Sequence, residues 1–226
     1  MKNTPFLKTA LAIFRKDVRA EMRSRELVSA MVLFTFLSIL VFSFALELDR
    51  VVRSESVSGV LWVTLIFSSV LGFNRSLGME RDQGSMDALL ISPIHRGAIF
   101  VGKFLSNYLF VFLVAIILIP LMTVLYNLPL TNFYIILTLF LGTFGLTLIG
   151  TLLATMTVQA RSRETMLPIV MMPLALPTLL SAVNASTSIL KNAPQETWMS
   201  WIMLLALLDI FFLVMCLFLF PFVIEE

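Results

Sequence analysis

Six uninterrupted apolar runs punctuate this chain, at about residues 27–46, 57–73, 104–126, 133–158, 165–183 and 198–224. A helix of roughly 20 apolar residues, rising 1.5 Å per residue, matches the ~30 Å hydrocarbon core of a bilayer. A soluble fold can bury a surplus of apolar residues, but not in repeated runs of this length. The composition agrees: 59% of the residues are hydrophobic and 13% charged, against roughly 45–50% and 25% in soluble domains. Backbone in lipid must satisfy its own hydrogen bonds, and the runs lack the alternation of barrel strands, so the segments read as helices. The expected fold is all-α and polytopic, with six transmembrane helices. The first run begins only after a basic segment of 26 residues and is too long for a signal-peptide core, so no cleavable signal is expected. No internal repeat or long linker interrupts the chain, and residues 27–226 read as one membrane domain behind an N-terminal segment, 1–26.

Lys and Arg in the short connections orient the spans. Lys2, Lys8, Arg15, Lys16, Arg19, Arg23 and Arg25 precede the first span; Arg75, Arg81, Arg96 and Lys103 join the second and third; Arg161 and Arg163 join the fourth and fifth. Only Arg50, Arg53 and Lys191 lie on the other side. Both termini are therefore expected in the cytoplasm.

Two cytoplasmic segments carry a pattern. Residues 4–25 read as an amphipathic helix, with Thr4 as N-cap and Pro5 at the first helical position. Leu7, Leu11, Phe14, Val18 and Met22 form an apolar stripe beside a basic one of Lys8, Arg15, Arg19 and Arg23. The pattern suits a helix in the membrane interface, basic side among anionic head groups. The connection 74–103 holds a second ridge: Met86, Leu89, Leu90 and Pro93 at i, i+3, i+4 and i+7, flanked by Glu80, Asp82 and Asp87. Such a helix can rest on a membrane or dock into a partner's groove, and Pro93 is placed to close it.

Gly97, Gly102 and Lys103 imitate a phosphate-cradling G-x-x-x-x-G-K-[ST] loop. Phe104 stands where magnesium needs Ser or Thr, and no strand precedes the motif, so no nucleotide site is expected in the chain. His95 is the only histidine and Cys216 the only cysteine, which excludes a multi-histidine metal site, a bis-histidine haem and a disulfide framework. No metal site and no catalytic triad is expected. Asn184-Ala185-Ser186 matches a glycosylation acceptor beside the membrane. Asp209 falls about 16 Å into the last span, where a charged residue is costly and should face protein or a wet cavity. It reads either as part of a translocation path or subunit contact, or as a protonated or hydrogen-bonded acid tying two spans. Pro168, Pro173 and Pro177 predict a kinked, partly unwound fifth span, and Gly142, Gly145 and Gly150 permit close helix contact in the fourth. Trp62, Trp198 and Trp201 read as interface anchors at span ends.

The stretch Gly59-Val60-Leu61-Trp62, Phe67-Ser68-Ser69 and Arg75, continuing through Gly84-Ser85-Met86 and Leu89-Leu90 to Pro93 and Lys103, resembles the CcmB-type permease of the cytochrome c maturation ABC transporter. So do Leu141-Gly142-Thr143, Gly145-Leu146, Gly150, Arg161, Leu167-Pro168 and Leu174. The resemblance spans about residues 55–185; Asn74 departs from it, standing where an acid is expected before the arginine. It implies an ABC-2-like, non-catalytic subunit of the bacterial inner membrane. Glu80, Gly84, Met86, Leu89, Leu90 and Pro93 would form a coupling loop on a cytoplasmic ATP-binding dimer. The other implied partners are a haem-handling membrane subunit, a small membrane subunit and a periplasmic haem chaperone, with no nucleic acid; two copies of the chain, or one copy with another membrane subunit, would complete the transporter. Haem and ATP would be handled by the complex rather than bound by this chain. An ABC-2 exporter of lipid, drug or polysaccharide, or a non-transport scaffold, would share the architecture.

Overall fold

A computed structural model of the chain describes residues 6–45, 50–82, 95–128, 130–157 and 163–223. Seven helices run through them: α1 (Phe6–Ser24), α2 (Glu26–Ala45), α3 (Arg50–Asp82), α4 (Arg96–Tyr126), α5 (Phe133–Thr157), α6 (Arg163–Leu190) and α7 (Gln195–Val223). The last six are long and apolar enough to cross a bilayer, and no strand occurs among the described residues. Polar side chains set the ends. His95 opens α4, its Nδ1 accepting the Gly97 N–H at 3.2 Å, and Asn127 closes it in the left-handed conformation (φ 53°). Asn132 Oδ1 accepts the Tyr134 N–H at 3.0 Å and opens α5. Arg25, at φ 56°, alone separates α1 from α2.

The centre of the bundle is α5, which packs against α3, α4, α6 and α7. In the most apolar stretches, 72% of the residues of α3 and of α5 are buried, against 22% in α2 and 28% in α7. Its glycines make that position possible. A Cβ on Gly142 would lie 2.2 Å from the Trp62 ring, and one on Gly150 would lie 2.1 Å from the Phe73 ring. Threonines on the same helix return their hydroxyls to its own carbonyls, Thr143 to Leu139 at 2.6 Å and Thr147 to Thr143 at 2.7 Å. They supply polar atoms to a helix interface without leaving donors bare in lipid.

Both described ends of the connection between the second and third spans are helical, since α3 continues to Asp82 and α4 already begins at Arg96. Two sequence expectations, the partly unwound fifth span and the Trp62 anchor, meet a different outcome. The fifth span is not unwound, since α6 runs unbroken through Pro168, Pro173 and Pro177. Each proline removes one backbone donor, whereas unwinding in lipid would leave many groups unsatisfied. Trp62 is no interface anchor: it is fully buried, and its Nε1 donates to Ser186 Oγ at 3.0 Å. That bond places Ser186 of the glycosylation triplet inside the bundle, and Asn184 donates to the Leu180 carbonyl at 2.8 Å within α6.

Candidate functional site

α1 does more than float in an interface. Ala10 and Ile13 are buried against the start of α4. The two helices touch at Gly102, where an added Cβ would meet the Ala10 carbonyl oxygen and Ile13 Cβ at 2.8 Å each. Phe6 meets the His95 ring edge-on, centroids 5.6 Å apart. This contact explains the imitation phosphate loop: Gly102 is a helix-crossing point rather than part of a cradle.

One residue further on, Lys103 is 1% exposed. A lysine that deep requires a counter-charge, and Asp17 Oδ2 lies 3.1 Å from its Nζ. The Ser106 hydroxyl also lies 3.1 Å from Asp17 Oδ2, and Lys16 holds the other carboxylate oxygen at 3.3 Å. One turn along α1, buried Glu21 reaches past the Arg25 bend: its Oε1 accepts the Val28 N–H at 2.9 Å and its Oε2 the Leu27 N–H at 3.4 Å. It thus caps the free donors that open α2, where a negative charge also meets the positive end of the helix dipole. Glu26, in the first turn of α2, pairs with Arg75 near the end of α3. A polar layer continues inward, Ser76 donating to Asn107 Oδ1 at 3.3 Å and Asn107 Nδ2 to Thr151 Oγ1 at 3.1 Å.

The α1–α2 elbow therefore holds both roots of the connection between the second and third spans. Arg75 ties it to the end of α3, and Lys103 ties it to the start of α4. The two described roots of that connection are thus linked to the first span through two ion pairs and one helix cap.

Among the residues singled out from sequence, Glu80 lies in the last turn of α3; Gly84, Met86, Leu89, Leu90 and Pro93 lie outside the described residues. Phe14 and Val18 are half-buried, and Arg15, Arg19 and Arg23 are exposed on α1. Sequence reasoning passed over Asp17 and Glu21, and gave Lys103 no partner. A signal existed: Ala10, Ile13, Asp17 and Glu21 recur at helical spacing on one face, and a face of small residues and acids in a basic helix implies a cationic partner.

Asp209 faces protein. It is 4% exposed, and a Cβ on Gly145 would lie 2.4 Å from its Oδ1 and 3.1 Å from Thr178 Cγ2. The acid thus sits where α5, α6 and α7 meet. Among the described residues neither carboxylate oxygen has a hydrogen-bond partner. Asp209→Asn conserves volume and breaks no bond, so its thermal unfolding midpoint in detergent is expected to equal or exceed the parent's; a drop of several degrees would reveal a partner for the carboxyl.

Fold and site together define a polytopic helical membrane protein with an ion-paired elbow at its basic end. The profile of the CcmB protein family matches residues 8–225. The chain belongs to the CcmB family and is a multi-pass protein of the bacterial inner membrane. It is 26% identical over 170 residues to Heme exporter protein B of Rhodobacter capsulatus, covering 75% of this chain and 78% of the relative. The protein of that name from Haemophilus influenzae is 26% identical over 185 residues (81% and 84%), and that from Bradyrhizobium diazoefficiens 27% over 184 (80% and 83%).

Proposed function

We propose that this chain is the membrane subunit of a haem-export ABC transporter in c-type cytochrome biogenesis, converting ATP hydrolysis in a cytosolic partner into movement of the bundle. One structural observation supports the coupling role: both roots of the connection between α3 and α4 are ion-paired to one elbow, so a push on that connection reaches four helices. The apolar ridge of Met86, Leu89, Leu90 and Pro93 supplies the surface for an ATP-binding dimer, with Glu80 and Gly84 at its approach. A haem-handling membrane subunit, a small membrane subunit and a periplasmic haem chaperone complete the path, and haem and ATP are handled by the complex rather than bound by this chain.

Affinity purification in mild detergent tests this reading. An ATP-hydrolysing subunit and haem absorbance are expected in the purified complex. The double substitution Leu89→Asp and Leu90→Asp is expected to remove at least nine-tenths of the co-purified ATPase, since two charges cannot be desolvated in an apolar groove. Full retention of the ATPase would refute the docking assignment; an ATPase-bearing complex that carries another cargo would refute haem export alone.

A further inference from the structure

The sequence of α1 mixes signs between Arg15 and Arg23, yet its folded outer face does not. Asp17 is turned onto Lys103 and Glu21 onto the N–H groups of Leu27 and Val28. Lys16 is drawn to Asp17. Arg15, Arg19 and Arg23 remain, exposed and four residues apart on successive turns, and none forms an ion pair with a carboxylate among the described residues. By taking both acids inward, the fold leaves the free side of an already basic helix without a counter-charge of its own.

That free side has a second, apolar sector. Leu7 is 78% exposed, Leu11 43% and Met22 72%, while Phe14 and Val18 lie half-buried between them. At the seam between the sectors is an open hollow lined by Phe14, Arg15, Val18, Arg19, Met22 and Arg23. Its depth relative to the bilayer is set by covalent connection. Arg25 alone separates α1 from α2, and α1 also crosses the first turns of α4 at Gly102, so the hollow lies level with the ends of two spans. A ligand matching it carries a phosphate for planar guanidinium forks and a hydrocarbon tail for the adjoining stripe.

We propose that the hollow on α1 is a binding site for an anionic phospholipid, its phosphate held by Arg15, Arg19 and Arg23 and the start of its acyl chains laid over Phe14, Val18 and Met22. The acids of α1 are withdrawn from that phosphate by the same contacts that fasten the elbow, so assembly of the bundle creates the site.

The test uses the full chain in its purified complex, reconstituted in nanodiscs of phosphatidylcholine doped with spin-labelled phosphatidylglycerol or spin-labelled phosphatidylcholine. The motionally restricted fraction reports bound lipid. The parent is expected to retain labelled phosphatidylglycerol in preference to phosphatidylcholine, and the preference should fall with salt. R15Q/R19Q/R23Q is expected to lose about tenfold or more of the affinity for phosphatidylglycerol, with phosphatidylcholine retention unchanged. Single substitutions should give graded losses, which keeps the proposal testable if the triple variant does not assemble. Equal retention of phosphatidylglycerol by parent and variants would overturn it. So would loss of a soluble partner with lipid retention unchanged, which would assign the face to an acidic protein surface. Displacement of the labelled lipid by inorganic phosphate at equal concentration would overturn the lipid assignment as well, by showing that the arginines take the anion without its chains.

Discussion

Lys103→Met is expected to lower the unfolding midpoint of the detergent-purified protein sharply, and Asp17→Leu should do the same. The side chains of Lys103 and Asp17 are 2% and 13% exposed. Removing one member of a buried ion pair costs about 3–5 kcal/mol, because the other stays desolvated beside a neutral neighbour. The loss for Lys103→Met falls toward the lower end of that range, since Lys16 and Ser106 still approach the Asp17 carboxylate. The double variant is the informative one. With both charges replaced by apolar groups of similar size, no ion is desolvated, and most of the lost stability should return. The cycle then reports a favourable coupling between the substitutions; strictly additive losses would mean that the two side chains do not interact. Haem export measured in the same strains separates the elbow's stabilising and transmitting roles. A double variant that regains stability but not export would locate transmission in the ion pair itself, and one that regains both would leave transmission to helix packing around Gly102.

Gly150→Ala is expected to be about as damaging. The new methyl group would lie 2.1, 2.6 and 2.7 Å from three atoms of the Phe73 ring. Phe73 is 1% exposed, and a buried ring has no free space to move into. Either α3 separates from α5 or the ring leaves its rotamer, and overpacking of this kind costs typically 1–3 kcal/mol. The upper end applies because α3 and α5 are the two most buried spans. Trimming the ring in Gly150→Ala with Phe73→Leu should recover part of the loss. Yield of folded protein and unfolding midpoint in detergent are the measurements. A single variant as stable as the parent would show that the α3–α5 contact is looser than its geometry.

Some of the fold was legible because lipid tolerates few solutions. Six apolar runs had to become helices, and Gly142, Gly145 and Gly150 on one of them marked it as a helix that others approach closely. The amphipathic character of α1 was equally plain from its stripes. The same simplicity misled elsewhere. Tryptophans near span ends resemble anchors, yet Trp62 finds a pocket over Gly142 and an acceptor in Ser186, 124 residues away in sequence. Three prolines resemble a break, yet the surrounding helix and lipid leave α6 no alternative to continuing.

By itself, then, the sequence determined the class of protein, the number of spans and the basic bias of one end, since hydrophobic length and charge count are sums over local residues and do not depend on neighbours in space. Only the tertiary structure decided which charges would neutralise one another. Asp17 meets Lys103 across 86 residues of sequence and Glu26 meets Arg75 across 49, and an ion pair forms or fails on a few ångströms that no local pattern encodes. The same folding step removed both acids from the outer face of α1, so that a helix of mixed charge became a cationic surface.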